Sequence, residues 1–144
     1  ETALGEKVSS DRPYRLVVQP MVEGGVEVVL GSRTDPVFGP VLMTGLGGIH
    51  VEIMKDVAFG VVPLTRRLAA RMLRRLKGFP VLEGARGGEA VDLDALETAL
   101  LRLAAVVETH DEILEFEMNP LVAMADGAVA LDARIRVGTP FRPD

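Results

Sequence analysis

Two runs of helical periodicity, set between blocks of strand-like alternation, constrain this chain more than any other feature. From Thr65 to Lys77, Leu64, Leu68, Met72, Leu73 and Leu76 recur at helical spacing, with Thr65 placed to cap the start and Gly78 to end the run. A second run opens at Asp92 or Asp94 and continues to about Thr109, its apolar stripe built from Leu96, Leu100, Leu103, Ala104 and Val107. On either side the period falls to two. Arg15 to Gln19 and Val26 to Leu30 flank the turn signal Glu23-Gly24-Gly25 and read as a hairpin. Pro40 to Thr44 and Phe59 to Val62 read as further strands, with Ile49 to Lys55 between them. Downstream, Ile113 to Asn119 alternates, with Leu114, Phe116 and Met118 on one face and Ile113, Glu115, Glu117 and Asn119 on the other. Asp126-Gly127 then turns the chain into Val129 to Ile135.

Strands, then two main helices, then strands, with hairpins at both ends, predict an α+β fold: a mostly antiparallel sheet packed with two helices, and no doubly wound parallel sheet. The only glycine cluster of interest, Gly45-Leu46-Gly47-Gly48, lacks the following amphipathic helix that phosphate binding at a helix N-terminus requires. The expected organisation is a flexible lead-in over residues 1–13, one domain over 14–136 and a tail over 137–144. The chain starts at Glu1 rather than Met, so it reads as an excised piece of something longer.

Composition removes several classes of function. There is no cysteine, so a metal would have to sit on oxygen or imidazole ligands. No apolar run spans a bilayer and no targeting signal is visible, which points to a cytoplasmic location. The net charge of −5 argues against a nucleic-acid surface. That total conceals a segregation: residues 61–90 carry seven basic groups against Glu83 and Glu89, and residues 91–132 carry ten acidic groups against Arg102 alone. Two readings follow, solvated helix faces with some mutual pairing, or a phosphate side and a metal side of one cleft.

Glu115-Phe116-Glu117-Met118-Asn119-Pro120 and Ala130-Leu131-Asp132-Ala133-Arg134 carry the oxygen ligands, on strands that the turn makes neighbours. With Asp126-Gly127 at the centre of a two-residue turn, Leu121 faces Asp132 and Asn119 faces Arg134. Asn119 and Asp132 are then diagonal neighbours on one face, about 7 to 8 Å apart, near enough to share a hard cation such as Mg²⁺. Pro120 removes a ladder donor and predicts a bulge, and a one-residue slip would separate the pair. The alternative is an outward-facing strand with solvated polar side chains.

At these residues the chain resembles the ADP-forming acyl-CoA synthetases, a branch of the succinyl-CoA synthetase superfamily that holds its nucleotide in an ATP-grasp domain. Seven ordered segments carry the resemblance: Gln19-Pro20-Met21-Val22 with Gly25 and Glu27; Asp35 to Pro40; Gly45-Leu46-Gly47-Gly48 with Glu52, Lys55 and Asp56; Pro63-Leu64-Thr65; Gly84-Ala85-Arg86-Gly87; Glu117-Met118-Asn119-Pro120; and Leu131-Asp132-Ala133-Arg134. The resemblance implies the C-terminal subdomain of an ATP-grasp domain. It implies that Gln19, Pro20, Met21 and Val22 hold the adenine of ATP or ADP, with Glu27 near the nucleotide, and that Asn119 and Asp132 ligate Mg²⁺. Glu117 would stand beside the phosphoryl-transfer centre and Arg86 would steady phosphate charge. In such enzymes acid, CoA and ATP become acyl-CoA, ADP and phosphate through an acyl phosphate and a phosphohistidine on another domain. His50 is a poor match for that histidine, and His110 reads as a surface residue at a helix end. The implied partners are the nucleotide, the N-terminal ATP-grasp lobe with its lysine, and the CoA-binding and ligase domains; alone, the piece should not turn over. The tail from Arg134 also resembles the ends of acetyltransferase fusions, which leaves open a non-catalytic sensor of a protein acetyltransferase.

Overall fold

The structure, a computed structural model, describes residues 18–48 and 55–139. Strands β1 (Val26–Asp35), β2 (Gly39–Leu46) and β3 (Val57–Val61) precede helices α1 (Arg66–Arg74) and α2 (Phe79–Leu82). A short 3₁₀ turn (Ala85–Gly87) leads to α3 (Leu93–Thr109), and β4 (Ile113–Met124), β5 (Gly127–Ala130) and β6 (Ala133–Val137) complete the order. All six strands join one antiparallel sheet in the order β3-β2-β1-β4-β5, with β6 also pairing β4. This is the expected α+β architecture.

The strands alternate as a half-covered sheet requires. Val28, Leu30, Leu42, Leu46, Ala58, Leu121 and Ala123 point to the helices, where Ala69, Met72 and Leu73 of α1 and Leu96, Leu100, Leu103 and Val107 of α3 meet them. Removing each such leucine from water contributes roughly 1.5–3 kcal/mol. Both helices are capped as their sequences require: Thr65 Oγ1 accepts from the Leu68 amide at 3.3 Å, and Asp92 Oδ1 from the Ala95 amide at 2.9 Å. Between α1 and α3, Arg66 reaches the largely buried Glu97 at 3.3 Å and Thr98 at 3.2 Å.

Four expectations require correction. The first hairpin is β1–β2, because β1 is flanked by β2 on one edge and β4 on the other, which leaves no edge for Arg15 to Gln19. Val18 and Gln19 lie in no strand, and residues 15–17 fall outside the described residues, as do most of Ile49 to Lys55 and all of His50 and Glu52. Helix α1 stops at Arg74, short of Lys77, because the Lys77 and Gly78 amides donate to the buried Asp56 carboxylate, each at 2.8 Å, rather than to helical carbonyls. The last hairpin turns on Ala125-Asp126, with Met124 paired to Gly127: the positive φ of 148° falls on the first strand residue. Finally, the reading of the charge segregation as a phosphate side and a metal side of one cleft gives way to mutual pairing of helix faces, where Arg66 meets Asp94 and Glu97 of α3. Helix α1 covers the inner face of the sheet, while Glu115 and Glu117 stand on the face opposite Phe116 and Met118, which pack against the core.

Candidate nucleotide and metal site

The outer face of the sheet, free of the helices, carries most of the residues singled out from sequence. The two-residue register shift keeps Asn119 and Asp132 on one face and brings them into direct opposition: the Asn119 amide donates to the Asp132 carbonyl at 3.2 Å, and the Leu131 amide to the Pro120 carbonyl at 3.0 Å. Directly opposed residues on antiparallel strands have Cβ atoms about 4.5–5.5 Å apart. The pair also sits where both strands are interrupted. Met118 and Leu121 oppose Leu30 and Val28, so Asn119 and Pro120 together span the single residue Val29. Across from them, Leu131 and Asp132 separate β5 from β6. The bulge expected at Pro120 thus faces a break in the neighbouring strand, and side chains at such irregularities are re-aimed out of the regular pleat.

Glu117 joins this pair. Its Oε1 accepts from Asn119 Nδ2 at 3.1 Å. That bond takes one of the two N–H donors of the amide, fixes its orientation and leaves Asn119 Oδ1, a hard oxygen, available beside the Asp132 carboxylate. No group of three or more His, Cys, Asp or Glu side chains poised for a metal occurs among the described residues. One amide oxygen and one carboxylate nevertheless fit Mg²⁺, which keeps several waters and takes few protein ligands besides substrate phosphates.

Glu115 was read from sequence only as a member of this face, yet it organises the neighbouring surface. Arg136 Nη2 donates to Glu115 Oε1 at 3.0 Å, and Arg33 Nε lies 3.7 Å from the same oxygen. The Arg136 hydrogen bond holds the Glu115 carboxyl below its ordinary value, with the positive charges of Arg136, Arg33 and Arg134 acting in the same direction. One carboxylate therefore ties β1, β4 and β6 together beside Glu117, which itself pairs with Arg134 of β6 and Gly31 of β1. The signal available in the sequence was the alternation of Arg134 and Arg136 opposite Glu117 and Glu115.

Of the remaining candidates, only Glu27 is placed on this face by its strand register. Glu27 is exposed, opposite Val122 on β4 and neighbouring Gly47, whose amide donates to the Glu27 carbonyl at 2.6 Å. A Cβ at Gly47 would fall 2.8 Å from that of Glu27, so this glycine serves close strand approach. Gln19, Pro20 and Met21 are exposed and Val22 is half-buried, all just ahead of β1. The turn holding Arg86 is not beside Glu117. Ala85, Gly88 and Glu89 share a recess with Gly24, Gly25 and Met124, seven residues along β4 from Glu117 or roughly 20 Å at strand rise.

An antiparallel sheet with one helix-covered face, and an open face carrying Asn, Asp and Glu at a strand interruption, matches what is expected of the C-terminal lobe of an ATP-grasp domain. The chain belongs to the ATP-grasp family, which matches it over residues 2–137. It is 42% identical over 122 residues to the beta subunit of ADP-forming acetate–CoA ligase I of Pyrococcus furiosus, a match covering 85% of this chain and 53% of that protein. It is likewise 42% identical over 123 residues to ADP-forming acetate–CoA ligase I of Archaeoglobus fulgidus, covering 85% of this chain and 18% of that protein. Among solved structures it resembles the acetyl-coenzyme A synthetase 1 of Candidatus Korarchaeum cryptofilum in complex with coenzyme A and Mg-AMPPCP. The TM-score is 0.79 at 40% identity, over 81% of this chain and 55% of that one. The chain thus spans between about a fifth and about half of these relatives. Among the described residues, no helix is long and apolar enough to cross a membrane.

Proposed function

We propose that this chain is the nucleotide- and Mg²⁺-binding lobe of an ADP-forming acyl-CoA synthetase, which joins an acid to CoA at the expense of ATP and releases ADP and phosphate. The observation that carries the reading is the direct opposition of Asn119 and Asp132, with Glu117 bonded to the Asn119 amide. Asn119 Oδ1 and the Asp132 carboxylate would hold Mg²⁺; when bound, the ion neutralises charge on the phosphate oxygens. Glu117 orients the Asn119 amide and keeps a carboxylate beside the transferring group. Gln19, Pro20, Met21 and Val22 receive the adenine ahead of β1, Glu27 lies on the same outer face, and Arg86, on a turn roughly 20 Å along β4 from Glu117, would meet phosphate charge only away from the transfer centre. The other ATP-grasp lobe and the CoA-binding and ligase domains complete the enzyme, in the same protein or in a partner subunit, and the division of the Pyrococcus relative into subunits supports that arrangement.

Calorimetry with ADP and Mg²⁺ on the full-length protein and on its Asn119→Ala and Asp132→Ala variants tests the reading. The expected result is Mg²⁺-dependent nucleotide binding that both variants lose, together with loss of acyl-CoA formation. Unchanged binding in both variants, or robust acyl-CoA synthesis by residues 1–144 alone, overturns it.

A further inference from the structure

One edge of the sheet is β3, whose Phe59 points to the outer face and shares a recess with Glu115 and Glu117. Among the described residues β3 pairs only with β2, so the far side of Phe59 to Val61 has no ladder partner among them, while the Val57 amide donates to the Lys55 carbonyl at 3.0 Å. Edges of this kind are ordinarily blunted by lysine, proline, a bulge or an inward-pointing charge. Strand β3, Val57-Ala58-Phe59-Gly60-Val61, carries no charge and no proline and pairs with β2 without a register shift, and Phe59 and Val61 are 59% and 50% exposed. Beside the edge lies a groove of about 180 Å³ whose lining includes Phe59, Val61, Leu64, Leu68, Arg71 and Arg75.

Helix α1 supplies the charge. Its apolar side, Ala69, Met72 and Leu73, is buried, while Arg67, Arg71, Arg74 and Arg75 are exposed. Among the described residues only Arg66 of this helix forms an ion pair, with Asp94 and Glu97 of α3. The groove therefore has an apolar lip on the strand side and a guanidinium lip on the helix side. A second copy of the chain fits poorly, because pairing β3 with β3 about a two-fold axis would bring two rows of arginines together.

We propose that β3 and α1 form a β-augmentation site for an extended acidic segment of a partner protein. The segment adds as a strand to the free edge of β3, completing its ladder. Because strand side chains alternate between faces, apolar residues at every second position lie beside Phe59 and Val61, and the intervening carboxylates meet Arg71 and Arg75. Main-chain bonds supply affinity, and the arginines select against neutral or basic strands.

The test is fluorescence anisotropy of the full-length protein with a labelled peptide alternating valine and glutamate. It is repeated with an isomer in which the valines and glutamates are block-segregated and with a valine–lysine peptide, and backbone amide exchange of β3 is followed alongside. The expected result is saturable binding of the valine–glutamate peptide with slowed exchange in β3. Arg71→Glu/Arg75→Glu, at two exposed positions that leave the fold intact, should weaken it about tenfold or more and gain binding of the valine–lysine peptide. Phe59→Lys, which charges the edge, should weaken it as well. Three results overturn the proposal: no saturable binding; equal binding of the block-segregated peptide, which would make the attraction charge alone; or concentration-dependent self-association that slows exchange in β3 without peptide.

Discussion

The amide of Asn119 donates across the sheet to the carbonyl of Asp132 at 3.2 Å, so the only exposed carboxamide of β4 and the carboxylate that precedes β6 are fixed as cross-strand partners by the backbone. Their geometry does not depend on long, mobile side chains. Both belong to short residues whose oxygens stay close to the strands that hold them.

Glu117 touches the amide of this pair, and under the proposed function its replacement should weaken Mg²⁺ binding without removing a proposed ligand. Glu117→Leu leaves Asn119 Nδ2 without its 3.1 Å acceptor, so the amide is free to rotate and present nitrogen where oxygen is needed. Loss of such a supporting partner typically costs about 10- to 100-fold in metal affinity. Titrating Mg²⁺ into the ADP-loaded full-length protein should show that loss while metal-free ADP binding changes little. An unchanged Mg²⁺ affinity would detach Glu117 from the site.

Asp56 should dominate stability at the junction between α1 and α2. Its carboxylate is buried and accepts from the Lys77 and Gly78 amides, each at 2.8 Å. Asp56→Ala removes two charge-assisted bonds and leaves two amides to find other partners, for an expected loss of about 3 kcal/mol in chemical denaturation. A loss under about 1 kcal/mol would mean that water replaces the carboxylate without penalty.

These two carboxylates mark what could and could not be read from the chain. The alternation of Leu114, Phe116 and Met118 against Ile113, Glu115, Glu117 and Asn119 is a local signal, and the structure keeps Phe116 and Met118 inward with the acidic residues outward, but at the start of β4, before a register shift, Ile113 packs against the core instead of facing out. Caps Thr65 and Asp92 were legible for the same reason, since the donor each one accepts from is three residues away. The register across the last turn was not. An Asp-Gly pair marks a turn without stating whether glycine is its second residue or the first of the next strand, and the choice moves every cross-strand partner by two. Partners distant in sequence were invisible too: nothing local assigns Asp56 to amides 21 and 22 residues on, or Glu115 to an arginine 21 residues on.

Acid stability should respond to the Glu115–Arg136 pair. The Arg136 hydrogen bond lowers the Glu115 pKa from its ordinary 4.5, so near and below that pH the unfolded chain takes up this proton more readily than the folded one. The pair's contribution is fully present above 4.5 and is lost as pH falls through the lowered folded value. Following the Glu115 carboxyl carbon by NMR should give a midpoint below 4.5, moving back up in Arg136→Ala. Denaturation of Glu115→Gln from about pH 7 to about pH 3, across the carboxylate range, should show a shallower loss of stability on the acid side than the unsubstituted protein. A midpoint unmoved by Arg136→Ala would show that the guanidinium does not reach the carboxylate in solution.

Thr44 offers the opposite experiment, in which removing a polar group should help. It is fully buried on β2 between its cross-strand partners Leu30 and Ala58, on the helix-covered side, and its hydroxyl has no hydrogen-bond partner among the described residues. Folding strips that hydroxyl of water without giving it a replacement, a penalty of about 1–3 kcal/mol. Valine keeps the branched shape and the strand preference while replacing the hydroxyl with a methyl that suits the surrounding leucines. Thr44→Val should therefore raise unfolding stability by about 1 kcal/mol, read as a higher denaturant midpoint at unchanged m-value. Thr44→Ser keeps the orphan hydroxyl and loses the methyl, and should destabilise by a similar amount. A fall in stability on Thr44→Val would mean that the hydroxyl is bonded after all and that its core position is polar by design.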